Sequence, residues 1–202
     1  VYDGLTTDTW QGNSEYIDGS TGAFTVTKTM VDNFARTTFY VSGTGGAYAA
    51  DDGYEGTYFK PFATLKKAVA AVNQSNLDPG TGGFRIFIDG SLTEHDIIFS
   101  PASSRGENLR TLTISSIGSA DVTIDANNAG RVFKVGQNAK LTLVKLIMQN
   151  GKSEERGGGI YVSPGASLTM TNCTVTGCQT TDSVGGGIFC EYESGTSTTL
   201  SM

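Results

Sequence analysis

The feature that most constrains this chain is a repeat. The run Gly157-Gly158-Gly159-Ile160-Tyr161-Val162 returns as Gly185-Gly186-Gly187-Ile188-Phe189-Cys190, about 28 residues later, a spacing found in stacked repeat architectures. Leu141-Thr142-Leu143 returns as Leu168-Thr169-Met170, and the same element stands earlier as Leu112-Thr113-Ile114 and later as Leu200-Ser201-Met202. A degenerate copy of the glycine element, Gly130-Arg131-Val132-Phe133-Lys134-Val135, sets Phe133 and Val135 against Ile160 and Val162. A period of about 27 to 32 residues describes one supersecondary unit that must stack on copies of itself to bury its apolar face.

Inside each period the apolar residues alternate: Phe133/Val135, Leu141/Leu143, Leu146/Met148, then Ile160/Val162, Leu168/Met170, Cys173/Val175. Short period-two runs are half-buried strands, and no window of this region has helical spacing over a useful length. Three short strands per repeat, bent by Gly, Asn or Ser, make one turn of a parallel β-solenoid whose turns stack at about 4.8 Å. The inward residues then form columns, such as Leu112, Leu141, Leu168 and Leu200. Cys173 and Cys190 fall in inward slots, whereas Cys178 is expected at a corner, exposed. The fold class expected is all-β, a right-handed parallel β-helix, the hand following the preference of parallel crossovers.

Upstream, Phe84–Ile88 and Ile97–Phe99 read as strands of a first, less regular coil, and Phe39-Tyr40-Val41 as a strand joining it. Between them, residues 61–73 carry apolar positions at Leu65, Ala68, Val69 and Val72, a helical spacing that ends ahead of Asp78-Pro79-Gly80. This helix is expected to lie over the first coil, because an open solenoid end exposes strand edges and an apolar column. Residues 1–37 are an extension or linker with a strand expected from Phe24 to Val31, and residues 38–202 are the capped β-helix. The chain begins at Val1, which suggests a mature or trimmed product. Its last element, Leu200-Ser201-Met202, stops inside a coil, so more coils are expected to follow, with self-association through the open C-terminal coil.

Composition narrows function. The 202 residues hold 14 Lys plus Arg against 20 Asp plus Glu, a formal charge of −6, which argues against nucleic acid as a partner. Apolar runs are too short for a transmembrane helix. Three cysteines and His95 alone give neither a disulfide framework nor a zinc site.

The glycine triplets lack the strand-loop-helix context and the Lys-Ser/Thr pair of a phosphate loop, and glycine at a corner is the simpler reading. The acidic loop Asp51-Asp52-Gly53-Tyr54-Glu55 offers Asp51, Asp52 and Glu55 as oxygen ligands for calcium, beside the plainer reading of a solvated turn. No other cofactor is called for. Thr93-Glu94-His95-Asp96 sets the histidine between two carboxylates, so a general-base reading stands beside that of an ordinary loop histidine. Arg131, Lys134, Thr142 and Lys145 point outward, with Asp121 and Asp125 one coil earlier, and no glycosidase-like carboxylate pair can be assembled from them. Lys134, Tyr161 and Phe189 occupy equivalent outward positions of successive repeats, and aligned exposed aromatics can form a sugar- or protein-binding strip.

The run Phe39-Tyr40-Val41-Ser42-Gly43-Thr44-Gly45, with Lys60-Pro61-Phe62-Ala63-Thr64-Leu65 behind it, resembles the N-terminal cap of secreted right-handed β-helix proteins of the pectate-lyase-like superfamily. The glycine repeats are similar to those of chlamydial polymorphic outer-membrane proteins, with Gly in place of Ala in both Gly-Gly-Ala-Ile-type motifs and Ile147-Met148-Gln149-Asn150 at the Phe-x-x-Asn motif. The resemblance implies a secreted or cell-surface bacterial protein, outer-membrane or extracellular, acting as an adhesion or ligand-binding scaffold toward a host or cell-surface protein or glycan. It also leaves open a carbohydrate-active enzyme, a polysaccharide lyase or glycoside hydrolase.

Overall fold

The computed structural model describes residues 9–15, 21–27, 37–102 and 104–202. Two strands near the start, β1 (Thr9–Glu15) and β2 (Thr21–Thr27), form an antiparallel pair. The strand expected from Phe24 to Val31 is found as Thr21–Thr27, and residues 28–31 lie outside the described residues.

From Thr38 onward the chain winds as a parallel β-solenoid of about four turns. The strand β3 (Thr38–Ser42) is followed by helix α1 (Leu65–Gln74). The first turn is β4 (Phe84–Asp89), β5 (Leu92–Thr93) and β6 (Ile97–Phe99), and the second is β7 (Thr111–Ser116), β8 (Val122–Asp125) and β9 (Phe133–Val135). The third is β10 (Lys140–Val144), β11 (Leu146–Gln149), β12 (Lys152–Ser153) and β13 (Ile160–Val162). The fourth is β14 (Ser167–Thr171), β15 (Thr174–Thr176), β16 (Gln179–Thr180) and β17 (Ile188–Cys190), and β18 (Thr199–Ser201) opens the next. Equivalent strands hydrogen-bond in parallel, giving a six-stranded sheet from β3 to β18 and two four-stranded sheets, β5-β8-β11-β15 and β6-β9-β13-β17.

The pairing register carries the sequence columns. Leu141 sits opposite Leu112 and Leu168, and Leu168 opposite Leu200. One apolar core therefore runs along the axis, built from Phe84, Phe99, Phe133 and the Ile, Leu and Val residues between them. Cys173 and Cys190 pack against it as expected. Cys178 corrects its expectation: it also packs against the core, its Sγ accepting from the Gly151 N–H at 3.3 Å, because the bend before β16 turns the side chain inward.

Helix α1 closes the N-terminal end. Leu65, Ala68, Val69 and Val72 are buried, and the helix lies against β6. It begins four residues later than its apolar spacing suggests, because Thr64 is its N-cap, accepting from the Lys67 N–H at 3.2 Å. Pro61 to Ala63 instead run alongside β3, where Val41 bridges Phe62.

The glycine triplets are stacking devices. Gly157 and Gly185 adopt positive φ of 72° and 74°, a region that side-chain-bearing residues resist. Gly158 and Gly159 donate to the carbonyls of Gly185 and Gly186 in the next coil, and a Cβ on Gly158 would meet the Gln179 carbonyl oxygen at 2.1 Å.

Candidate functional site

The outward positions of the β6-β9-β13-β17 sheet form a lateral ladder. Ile98, Lys134, Tyr161 and Phe189 are in register across four neighbouring strands. Stacking of the coils brings the rings of Tyr161 and Phe189 to 6.2 Å between centroids with only 12° between their planes. Three cations attend these rings: the Lys134 ammonium at 5.5 Å and the Arg131 guanidinium at 5.2 Å from the Tyr161 centroid, and the Arg156 guanidinium at 5.1 Å from that of Phe189. A cation over an aromatic face is held by the ring quadrupole. The sequence alignment of Lys134, Tyr161 and Phe189 thus corresponds to a contiguous strip in space.

Lys134 and Tyr161 of this strip, with Arg131 and Arg156, line an open depression of about 360 Å³ together with Glu155, Ser183 and Glu191. Glu191 knits it together, accepting from the Tyr161 hydroxyl with one oxygen and pairing with Arg156 through the other at 3.2 Å. Arg131 lies on the outer side of the coil, over the Tyr161 ring, but it is not solvent-exposed. It is 9% exposed, and its Nε and Nη2 donate to the carbonyls of Gly157 and Arg156, both at 2.7 Å, and its Nη2 also to the Ser153 hydroxyl at 3.0 Å. Those bonds fix the loop that presents Arg156. Glu155 reaches to 3.8 Å from Arg131 with its side chain 86% exposed.

Arg156 and Glu191 were not legible as site residues. Each follows or precedes a repeat element in a connection whose length varies, so no periodicity flags it.

The acidic loop is used differently. Asp52 accepts from the backbone N–H groups of Ala63 and Thr64 at 3.0 and 2.9 Å and from the Thr64 hydroxyl at 2.7 Å. Asp51 accepts from Gly53 N–H at 2.6 Å, and Glu55 is exposed. Two of the three carboxylates thus have backbone partners. No group of three His, Cys, Asp or Glu side chains converges among the described residues.

The trio around His95 also splits. His95 Nδ1 lies 2.9 Å from Asp96 Oδ2 at the surface. Glu94 is turned inward, 8% exposed, its two oxygens accepting from Leu65 N–H at 2.6 Å and Lys66 N–H at 3.0 Å. Burial raises its carboxyl above the usual range, against the lowering effect of those N–H groups. It thereby satisfies donors at the start of α1, a role no sequence spacing revealed. Asp125 is likewise occupied, its pKa lowered by the Gln149 amide, the Asn127 N–H and the Asn150 amide.

Fold and site together define a parallel β-solenoid that carries a cation–aromatic ladder on one lateral sheet. No protein-family model, curated protein or solved structure matches the chain.

Proposed function

We propose that the chain is a non-catalytic extracellular or cell-surface scaffold, of the pectate-lyase-like β-helix kind and from a bacterial surface protein, which binds an extended glycan across the Lys134–Tyr161–Phe189 strip. The observation that carries this reading is the near-parallel pair of rings in adjacent coils, 12° apart, of which Tyr161 lines the depression. The stacked rings, with Lys134 and Arg156 packed on them, offer a rigid amphipathic surface on neighbouring turns to a chain lying along the solenoid axis, and rigid rings give much contact area at little entropic cost. Arg156, Lys134 and Glu191 supply directional polar contacts around them.

The enzymatic alternative draws on one specific observation: Glu155 and Glu191 meet Lys134 and Arg156 at the rim, a convergence of acids and bases absent from the sequence reading. The scaffold is favoured because Glu191 is engaged by Tyr161 and Arg156, and Arg131 by backbone carbonyls. A glycan array compared with Tyr161→Ala and Phe189→Ala tests binding, each substitution being expected to weaken it by about 1–2 kcal/mol. Incubation with pectate, alginate or other uronic-acid polymers plus calcium should yield no unsaturated product. Absorbance from such a product, lost in Lys134→Ala, replaces the scaffold with a lyase.

A further inference from the structure

The depression beside the Tyr161 ring holds more positive charge than its own acids neutralise. Arg131, Lys134 and Arg156 line it with Glu155 and Glu191, three cations against two carboxylates on a chain whose formal charge is −6. Arg156 is matched by one oxygen of Glu191 at 3.2 Å, and the other oxygen is taken by the Tyr161 hydroxyl. Lys134 has no such match. Among the described residues its ammonium has no carboxylate partner and rests over the Tyr161 ring, 5.5 Å from the centroid.

Arg131 supplies a second open donor. Its Nε and Nη2 are consumed by the Gly157 and Arg156 carbonyls and the Ser153 hydroxyl, whereas Nη1 donates to none of the described residues. No buried side-chain nitrogen or oxygen among those residues lacks a partner. Nη1 is therefore the atom through which this guanidinium, 9% exposed, opens onto the depression. The three bonds behind it fix the group, and a charge held in advance loses little freedom on meeting a ligand. Only Glu155 approaches Arg131, at 3.8 Å from Nη2, with its side chain 86% exposed. An ion pair that open is worth little and exchanges readily for another anion.

The donors also discriminate between anions. A planar carboxylate is held best by two adjacent nitrogens of one guanidinium, and here Nη2 is already spent on Ser153 and Arg156. What remains is one nitrogen from each of two side chains that flank one ring, Arg131 and Lys134. That pair suits an anion whose oxygens point in three directions, the shape of a sulfate or phosphate ester.

We propose that the depression seats a sulfate or phosphate ester of the bound glycan between Arg131 Nη1 and Lys134 Nζ, with Glu155 as the resident competitor that the ester displaces. The inference rests on the glycan-binding reading and names the chemistry of the sugar that the strip takes.

The test measures binding of the full 202-residue chain to immobilised dextran sulfate, phosphomannan, pectate and unmodified dextran at low salt. The two esterified polymers should bind, the tighter identifying which ester the seat takes, and pectate should bind about tenfold more weakly. Lys134→Gln removes a donor that holds no part of the fold and should weaken binding of the tighter polymer about tenfold. Glu155→Gln should strengthen it about threefold. Lys66→Gln and Lys67→Gln, equal losses of charge on the exposed side of α1, should change nothing. Pectate bound as tightly as either esterified polymer, or Lys66→Gln as damaging as Lys134→Gln, overturns the ester seat and leaves the glycan reading standing. Inorganic sulfate distinguishes the reverse case. A saturable shift of the Arg131 Nε–H resonance on adding sulfate, lost in Lys134→Gln, with none of the polymers bound, upholds the seat and sinks the glycan reading. No shift together with no ester-dependent binding sinks the seat.

Discussion

The first and last coils of the described residues share one inward column and bury it to different degrees. At the N-terminal end, Leu65, Val69 and Val72 of α1 cover the first coil, and Phe84, Ile86 and Ile97 beneath them are fully buried. At the other end every residue of β17 is half-buried and every residue of β18 exposed, although β18 continues the register of β14. Leu112, Leu141 and Leu168 are at most 1% exposed, yet Leu200, in the same column, is 37% exposed. An inward position is therefore defined by strand alternation, but its burial is supplied by the next layer. Identity in the repeat does not by itself confer equal energetic weight.

Substituting the column at its two ends should separate them most sharply. Val69→Asp places an unpaired charge under the cap and should cost more than about 3 kcal/mol, with aggregation on loss of the lid. Leu200→Asp should cost under about 1 kcal/mol. Urea titrations of both variants give the answer, and equal midpoints would show that the cap contributes no more than the open coil. Lys66→Ala and Lys67→Ala, on the exposed side of α1, should leave the midpoint unchanged.

A smaller effect is expected where β5 and α1 meet. Glu94→Ala leaves the Leu65 and Lys66 N–H groups without their acceptor and should cost about 1–2 kcal/mol, read as a fall in melting temperature. Its pH signature is specific. Because burial raises the Glu94 pKa above its ordinary value of 4.5, the native chain holds this proton at pH values where the unfolded chain has released it. Its contribution to stability therefore declines as pH rises through the window above that value. Glu94→Gln should flatten that slope, and an unchanged profile would remove Glu94 from the cap.

The smallest effect concerns the corners, which both halves share. Lys145 and Asn172 stand at equivalent bends with φ of 55° and 53°. A left-handed conformation suits asparagine better than lysine, so Lys145→Asn should stabilise by about 0.5 kcal/mol, and Asn172→Lys should lose a similar amount. Calorimetry of the pair checks whether corner geometry acts alike along the axis.

Much of the fold was readable because period-two alternation and a near-constant offset are both one-dimensional signals. They gave the columns, the helix and the alignment of Lys134, Tyr161 and Phe189. What escaped depended on groups without a periodic signature. Glu94 acts through backbone N–H groups 29 residues away, and any residue type can present those. Arg131 looked solvent-facing because charge predicts exposure, whereas three acceptors supplied by the next coil allow its burial. Cys178 sits at a bend, where alternation lapses and direction cannot be counted from the neighbouring strand.

The strand register also shows where this architecture accepts change. Lys152 pairs with Gln179, but Ile160 pairs with Ile188, so the fourth turn carries one more residue than the third between those strands. The additional residue leaves the column intact on both sides: Leu141 still faces Leu168, and Val162 still faces Cys190. Those connections hold Arg156 and Ser183, at the mouth of the depression. The rim can thus differ in length from turn to turn while the coils beneath keep their pairing. For an engineer, positions 154–156 and 181–184 are grafting sites, where new recognition loops can be installed without redesigning the scaffold.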